Sequence, residues 1–206
     1  MKRILLYSLL LVFTNSLVAQ TQIGADINGS ADNVLGFTVS LSSNGSRMAA
    51  GAPYSTGTST NGYAHVHEKV SSAWVLKGTA IGGEAMSDNF GRVAISGDGN
   101  RLAVGASTND GNGANSGHVR VYNFNGTNWA QMGTDINGEA ANDNSGVKVS
   151  LSNDGSVVAI GAHLNDGNGA DSGHVRVYAW NGSAWVQRGA DLNGEAAGDE
   201  FGVSVS

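Results

Sequence analysis

Residues 143 to 162 read Asp143-Asn144-Ser145-Gly146-Val147-Lys148-Val149-Ser150-Leu151, then Ser152-Asn153-Asp154-Gly155-Ser156, then Val157-Val158-Ala159-Ile160-Gly161-Ala162. Val147, Val149 and Leu151 alternate with Lys148 and Ser150, the period-two pattern of a strand. Asn153-Asp154-Gly155 is a turn, with glycine supplying a positive φ, and Val157 to Ala162 is a second apolar strand. Asn165 to Gly173 holds too many turn formers to be anything but a loop. His174 to Trp180 alternates again, Asn181-Gly182 signals a hairpin, and Trp185 to Leu192 gives a fourth strand. The same plan recurs as Val93 to Ser96, Leu102 to Ala106, His118 to Phe124 and Trp129 to Ile136. It recurs more loosely in the first copy, where Tyr63 to Glu68 is the third strand and Glu68 to Ser72 replaces the Asn-Gly turn.

The period is about 55 residues. Asp32, Asp88, Asp143 and Asp199 stand 56, 55 and 56 apart, and Gly36, Gly91, Gly146 and Gly202 form a parallel column, as do Trp74, Trp129 and Trp185. Self-similarity at such a period belongs to architectures whose single unit cannot bury its apolar face alone. Four short antiparallel strands per unit predict an all-β chain, a partial β-propeller of four-stranded blades packed face to face.

The organisation read from these columns is a signal peptide over 1–19, an orphan outer strand over 20–31, repeats over 32–87, 88–142 and 143–198, and the opening of a fourth repeat over 199–206. Lys2 and Arg3 before the apolar run Ile4 to Phe13, with Leu17-Val18-Ala19 before Gln20, are the marks of a secretory signal too short to span a membrane comfortably. Gln22 to Gly29 matches Gln131 to Gly138, the end of a fourth strand. A closed propeller needs four to eight blades, so three repeats and two partial ones predict a fragment of a larger protein.

Composition narrows the function classes. There are 31 glycines, one proline and no cysteine, which excludes a disulfide framework, a thiolate metal site and a cysteine nucleophile. Without Lys2 and Arg3, nine scattered basic residues face seventeen acidic ones, a net charge of −8. Nucleic acid is therefore not an expected partner, nor is membrane insertion once the signal is removed.

Phe201-Gly202-x-Ser204-Val205-Ser206 resembles the opening of the FG-GAP repeat, and Val158-Ala159-Ile160-Gly161-Ala162 resembles its GAP element, with Gly51-Ala52-Pro53 in the first copy. The resemblance extends over nearly all of residues 22 to 206. It implies the β-propeller of integrin α-chains and of secreted bacterial surface proteins, in the style of Bacteroidetes. Two copies depart from Phe-Gly, with Leu35-Gly36 and Ser145-Gly146. The calcium loop that integrin-type repeats carry between the two elements is replaced by Ser42-Ser43-Asn44-Gly45, Ser96-Gly97-Asp98-Gly99 and Ser152-Asn153-Asp154-Gly155. Each of these turns has at most one carboxylate, and calcium takes six to eight oxygens, so that site is not carried over.

The calcium candidates are instead Asp110 and Asn112 in one copy and Asp166, Asn168 and Asp171 in another, set among glycines; the alternative is a turn whose side chains bond their own backbone. His65 and His67 share a strand face but align with Arg120/Arg176 and Tyr122/Tyr178, which makes packing or rim roles the expectation. The recurring tryptophans read as inter-blade packing rather than a sugar platform. Fourteen of seventeen acids fall in repeated columns, Asp171 and Glu200 replace asparagines, and Glu68 stands apart. A general acid and its partner need unlike environments, which a ladder of equivalent acids does not supply, so no catalytic residue and no enzyme is expected here.

The expected function is an exported interaction or adhesion module, secreted or at the cell surface, presenting loops to an extracellular protein or glycan. Residues that differ between copies, Pro53 to Asn61 and Glu68 to Ser72 among them, would set specificity. The alternatives are a structural spacer, or part of a polysaccharide-acting enzyme whose site lies in further blades.

Overall fold

The computed structural model describes residues 21–29, 34–54 and 61–206. The expected signal peptide lies outside the described residues. Blade 1 comprises β1 (Thr38–Leu41), β2 (Arg47–Ala52), β3 (Tyr63–Val70), β4 (Ala73–Leu76) and β5 (Ile81–Gly82). Blade 2 comprises β6 (Phe90–Ile95), β7 (Arg101–Ala106), β8 (His118–Phe124), β9 (Trp129–Gln131) and β10 (Ile136–Asn137). Blade 3 comprises β11 (Lys148–Leu151), β12 (Val157–Ala162), β13 (His174–Trp180), β14 (Trp185–Gln187) and β15 (Leu192–Asn193). Each blade is an antiparallel meander, with the short fifth strand also paired to the third. The chain is all-β, as its periodicity predicts, and its sheets are propeller blades.

The predicted fourth strand, Trp129 to Ile136 or Trp185 to Leu192, is in fact two. β9 and β10 both pair with β8, and the chain leaves the sheet between them. Gly133 (φ 74°) and Gly189 (φ 84°) turn it there. A side-chain link from Gln131 Nε2 to Asp135 Oδ1 (2.7 Å) holds the bend, repeated by Gln187 and Asp191 at 2.6 Å. The bend admits the next blade: a Cβ on Gly133 would stand 3.0 Å from the Trp180 ring and 3.5 Å from Trp185.

The expected orphan outer strand has the bend without the strand. Residues 21–29 form no strand, because among the described residues none hydrogen-bonds to them as a sheet neighbour. Gln22 Nε2 still donates to Asp26 Oδ1 at 2.7 Å, and Gly24 (φ 76°) lies against Ser72 and Trp74 of blade 1 as Gly78 lies against Trp129 of blade 2. Likewise Gly202 to Ser206, read as a first strand, forms no strand; the preceding Phe201 makes a parallel bridge to Gly173.

The core lies between blades. Val93, Ile95, Leu102, Val104 and Tyr122 of blade 2 pack on Ala49, Ala64, Val66 and Ile81 of blade 1. Ala103, Val119, Val121 and Ile136 pack the opposite way, on Val149, Val158, Ile160 and Tyr178 of blade 3. Strand alternation thus gives blade 2 two buried faces. Fully burying a side chain such as Leu102 is worth about 1.5–3 kcal/mol. In β1, by contrast, Val39 and Leu41 are about 60% exposed (61% and 60%), on the face whose counterpart in blade 2 packs against blade 1.

Candidate functional site

The most regular residues build the blades. Asp88 and Asp143 are buried; Asp88 Oδ2 accepts from Ala85 N (3.1 Å) and Asn109 Nδ2 (3.0 Å), and Asp143 Oδ2 from Ala140 N and Asn165 Nδ2 (both 3.0 Å). Asp199 caps Ala196 N in the same way, while Asp32 lies outside the described residues. Trp129 Nε1 donates to Lys77 O, and Trp185 Nε1 to Met132 O, each at 2.9 Å across a blade boundary. The packing reading of these tryptophans holds. Glu68, the acid outside the columns, lies between Arg47 (2.9 Å) and Lys77 (3.0 Å), and the Lys77 ammonium holds its carboxyl below the usual range.

The calcium candidates are all exposed and lie in the loops before β8 and β13. Asp110 Oδ1 accepts from Asn115 N at 2.8 Å, and Asp166 Oδ1 from Asp171 N at 2.9 Å. Asn112 turns its amide N–H groups to the carbonyls of Gly138 (2.8 Å) and Glu139 (3.0 Å), and Asn168 does the same to Gly194 and Glu195. These side chains brace each loop from within and tie it to the segment after the fourth strand. The acids of the shorter turns behave similarly. Hydrogen bonds from the Ser152 hydroxyl and from Ser156 hold the Asp154 carboxyl well below its ordinary range.

His65 and His67 do share a face, with ring centroids 5.8 Å apart, and the Tyr63 ring lies tilted 4.7 Å from His65. Burial lowers both pKa values.

Two clusters escape a residue-by-residue reading. Glu84 of blade 1 meets His118, Arg120 and Asp135 of blade 2, and Glu139 of blade 2 meets His174, Arg176 and Asp191 of blade 3. In the first, Arg120 grips both oxygens of Asp135 through Nε and Nη2 at 2.9 Å and also pairs with Glu84. Burial alone would lower the Arg120 pKa, but the two carboxylates raise it. In the second, Arg176 leaves Asp191 and donates to Asn137 O at 2.8 Å. The signal in the sequence is coupled change. Where the repeat places Ser30, Tyr63, His65 and Ala80 in these four columns, glutamate, histidine, arginine and aspartate vanish together.

A different group of side chains does not recur. Phe37 and Tyr54 meet edge to face at 5.5 Å, and the Arg92 guanidinium lies 4.4 Å over the Phe37 ring. Both rings are exposed, 45% and 39%. Burial lowers the Arg92 pKa, and its Nε has no hydrogen-bond partner among the described residues. His163 of blade 3 also lies within the field of Arg92. In the other copies the place of Tyr54 is held by Thr108 and Leu164.

Residues 79–122 and 137–178 match the FG-GAP repeat family. The first match runs from just before β5 into β8, and the second from the end of β10 into β13. A comparison with curated protein sequences finds no match. Solved structures with the same fold include a candidate 6-phosphogluconolactonase of Bacteroides uniformis, at 12% identity and a TM-score of 0.56, covering 81% of this chain and 43% of that one. A second candidate 6-phosphogluconolactonase, of Bacteroides fragilis, shows 8% identity and a TM-score of 0.52, covering 76% and 38%. A hypothetical selenium-binding protein of Sulfolobus tokodaii shows 11% identity and a TM-score of 0.50, covering 79% and 43%. The chain thus spans about two fifths of these structures (43%, 38% and 43%), and at such identities the likeness is one of fold. Sheet topology, inter-blade packing and the family match agree: residues 79–122 and 137–178 match the FG-GAP repeat, within an all-β chain built of propeller blades.

Proposed function

We propose that the chain is a non-catalytic binding module of an exported protein, secreted or held at the cell surface, which presents Phe37, Tyr54 and Arg92 to an extracellular glycan or protein. One observation carries the reading: the recurring Asp88/Asp143 and Trp129/Trp185 are consumed in building and joining blades, while these three differ between copies, with the Phe37 and Tyr54 rings exposed beside a guanidinium whose Nε has no partner among the described residues. An exposed aromatic pair with a cation suits stacking on a sugar face or an aromatic side chain, with Arg92 fixing orientation by hydrogen bonds. Support for the non-catalytic part comes from Asp88 and Asp143, each of which commits its Oδ2 to two structural donors, and from Asp135, whose two oxygens Arg120 holds. Export rests on the pattern of residues 2 to 19.

The test is binding of the labelled chain to a panel of extracellular polysaccharides and matrix proteins. Saturable binding to one of them, weakened at least tenfold by Arg92→Gln or Tyr54→Ser with the unfolding midpoint unchanged, is the expected result. Binding that never saturates, or that both variants retain, sinks the reading. Export is tested separately by N-terminal sequencing of the mature protein, which should begin at Gln20.

A further inference from the structure

Each carboxylate beside His174 commits one oxygen to a neighbour and aims the other at the imidazole. Glu139 Oε1 faces Arg176 Nη1 at 3.3 Å, while Oε2 lies 3.8 Å from His174 Nδ1. Asp191 Oδ1 accepts from Gln187 Nε2 at 2.6 Å, while Oδ2 lies 3.9 Å from the same imidazole nitrogen. Neither distance is a hydrogen bond. His174 is 1% exposed and its Nδ1 has no hydrogen-bond partner among the described residues, an unusual state for a buried polar atom that points at two carboxylates. Asn112 braces the site from behind through the Glu139 carbonyl.

We propose that His174 Nδ1, Glu139 Oε2 and Asp191 Oδ2 form a binding site for one divalent transition cation of the zinc type, with solvent completing the shell. The three ligand atoms lie within 4.8 Å of one another. Around a tetrahedral zinc with bonds of about 2.0–2.2 Å, ligand atoms stand roughly 3.3–3.6 Å apart. The two histidine–carboxylate gaps therefore need only a few tenths of an ångström of closure, and both carboxylates are solvent-accessible enough to move. One imidazole and two carboxylates suit zinc, whereas calcium would need more oxygens. Two carboxylates against Arg176 leave a net negative site.

Blade 2 supplies the contrast. Glu84, His118 and Asp135 cluster just as closely, but the Arg120 guanidinium stands among them and takes both oxygens of Asp135. A cation there would have to displace a resident charge, so the stoichiometry is one cation per chain. This site is distinct from the loops of Asp110 and Asp166 and independent of the binding face of Phe37 and Arg92.

The experiment is calorimetric titration of the 206-residue chain with zinc chloride, paired with cobalt chloride followed by visible absorption. One equivalent is expected, with cobalt bands of a nitrogen- and oxygen-ligated ion. His174→Gln should weaken zinc at least tenfold, and the more exposed Asp191→Asn should do the same if the first variant folds poorly. Absence of saturable binding overturns the proposal, as does full affinity in Asp191→Asn. Loss of binding in His65→Gln also overturns it, since the ion would then sit on the His65–His67 pair.

Discussion

Gly105 in β7 and Gly146 of the following repeat meet backbone to backbone: a Cβ on Gly105 would fall on the Gly146 carbonyl oxygen. Gly51 meets Gly91, and Gly161 meets Gly202, in the same way. The glycine of the GAP-like element and the glycine of the Phe-Gly-like element are therefore one contact seen from two blades, which is why both columns persist.

Gly105→Ala should accordingly destabilise the chain by about 1–3 kcal/mol, as overpacking does in a close-packed interior. Gly82→Ala is the control, because a Cβ there meets nothing within 4 Å. Urea denaturation of the two variants checks this; equal midpoints would contradict the contact.

Trp129→Phe keeps an aromatic ring but removes the donor to Lys77 O. The loss of one inter-blade hydrogen bond should cost about 1 kcal/mol in the same denaturation measurement. Trp185→Phe should cost a similar amount through Met132 O.

Stability should fall as pH drops from 7.5 to 5.5. Burial lowers the pKa of His65, His67, His118 and His163 below the ordinary 6.5. The unfolded chain takes up protons near 6.5 while the folded chain does not, so the unfolded state binds more protons across that window and stability rises with pH. Depressed carboxyl groups such as Asp135 and Asp98 act only at lower pH. Denaturation midpoints at the two pH values, with EDTA present, check the sign. His118→Gln should narrow the difference, and a higher midpoint at pH 5.5 would contradict it.

Much of the blade was legible in the sequence because apolar alternation and Asn-Gly turns are local signals. Val157–Ala162, His174–Trp180 and His118–Phe124 are strands with the expected bounds. The break in the fourth strand was not legible, since Gly133 bends the chain to receive Trp180 and Trp185 of the next blade, and Gly189 repeats the positive-φ bend at the end of blade 3. The same limit applied to the candidate sites. Asp110, Asn112, Asp166 and Asn168 carry hydrogen bonds within and beyond their loops that a line of sequence does not show. The cluster of Glu139, His174 and Asp191 spans two repeats and 53 positions, so only pairing across a blade boundary reveals it.

The most direct test of the account is a paired measurement of stability and binding on Asp143→Ala and Arg92→Gln. Asp143 is a recurring, buried acceptor of two hydrogen bonds, and its loss should cost about 2–3 kcal/mol. Arg92 is a non-recurring cation over Phe37, and its loss should cost less than about 1 kcal/mol while abolishing saturable ligand binding. The account predicts that the first variant loses stability and, where still folded, binds. If Arg92→Gln unfolds the chain, or Asp143→Ala leaves stability untouched, the assignment of Asp143 to building the blades and of Arg92 to binding is wrong.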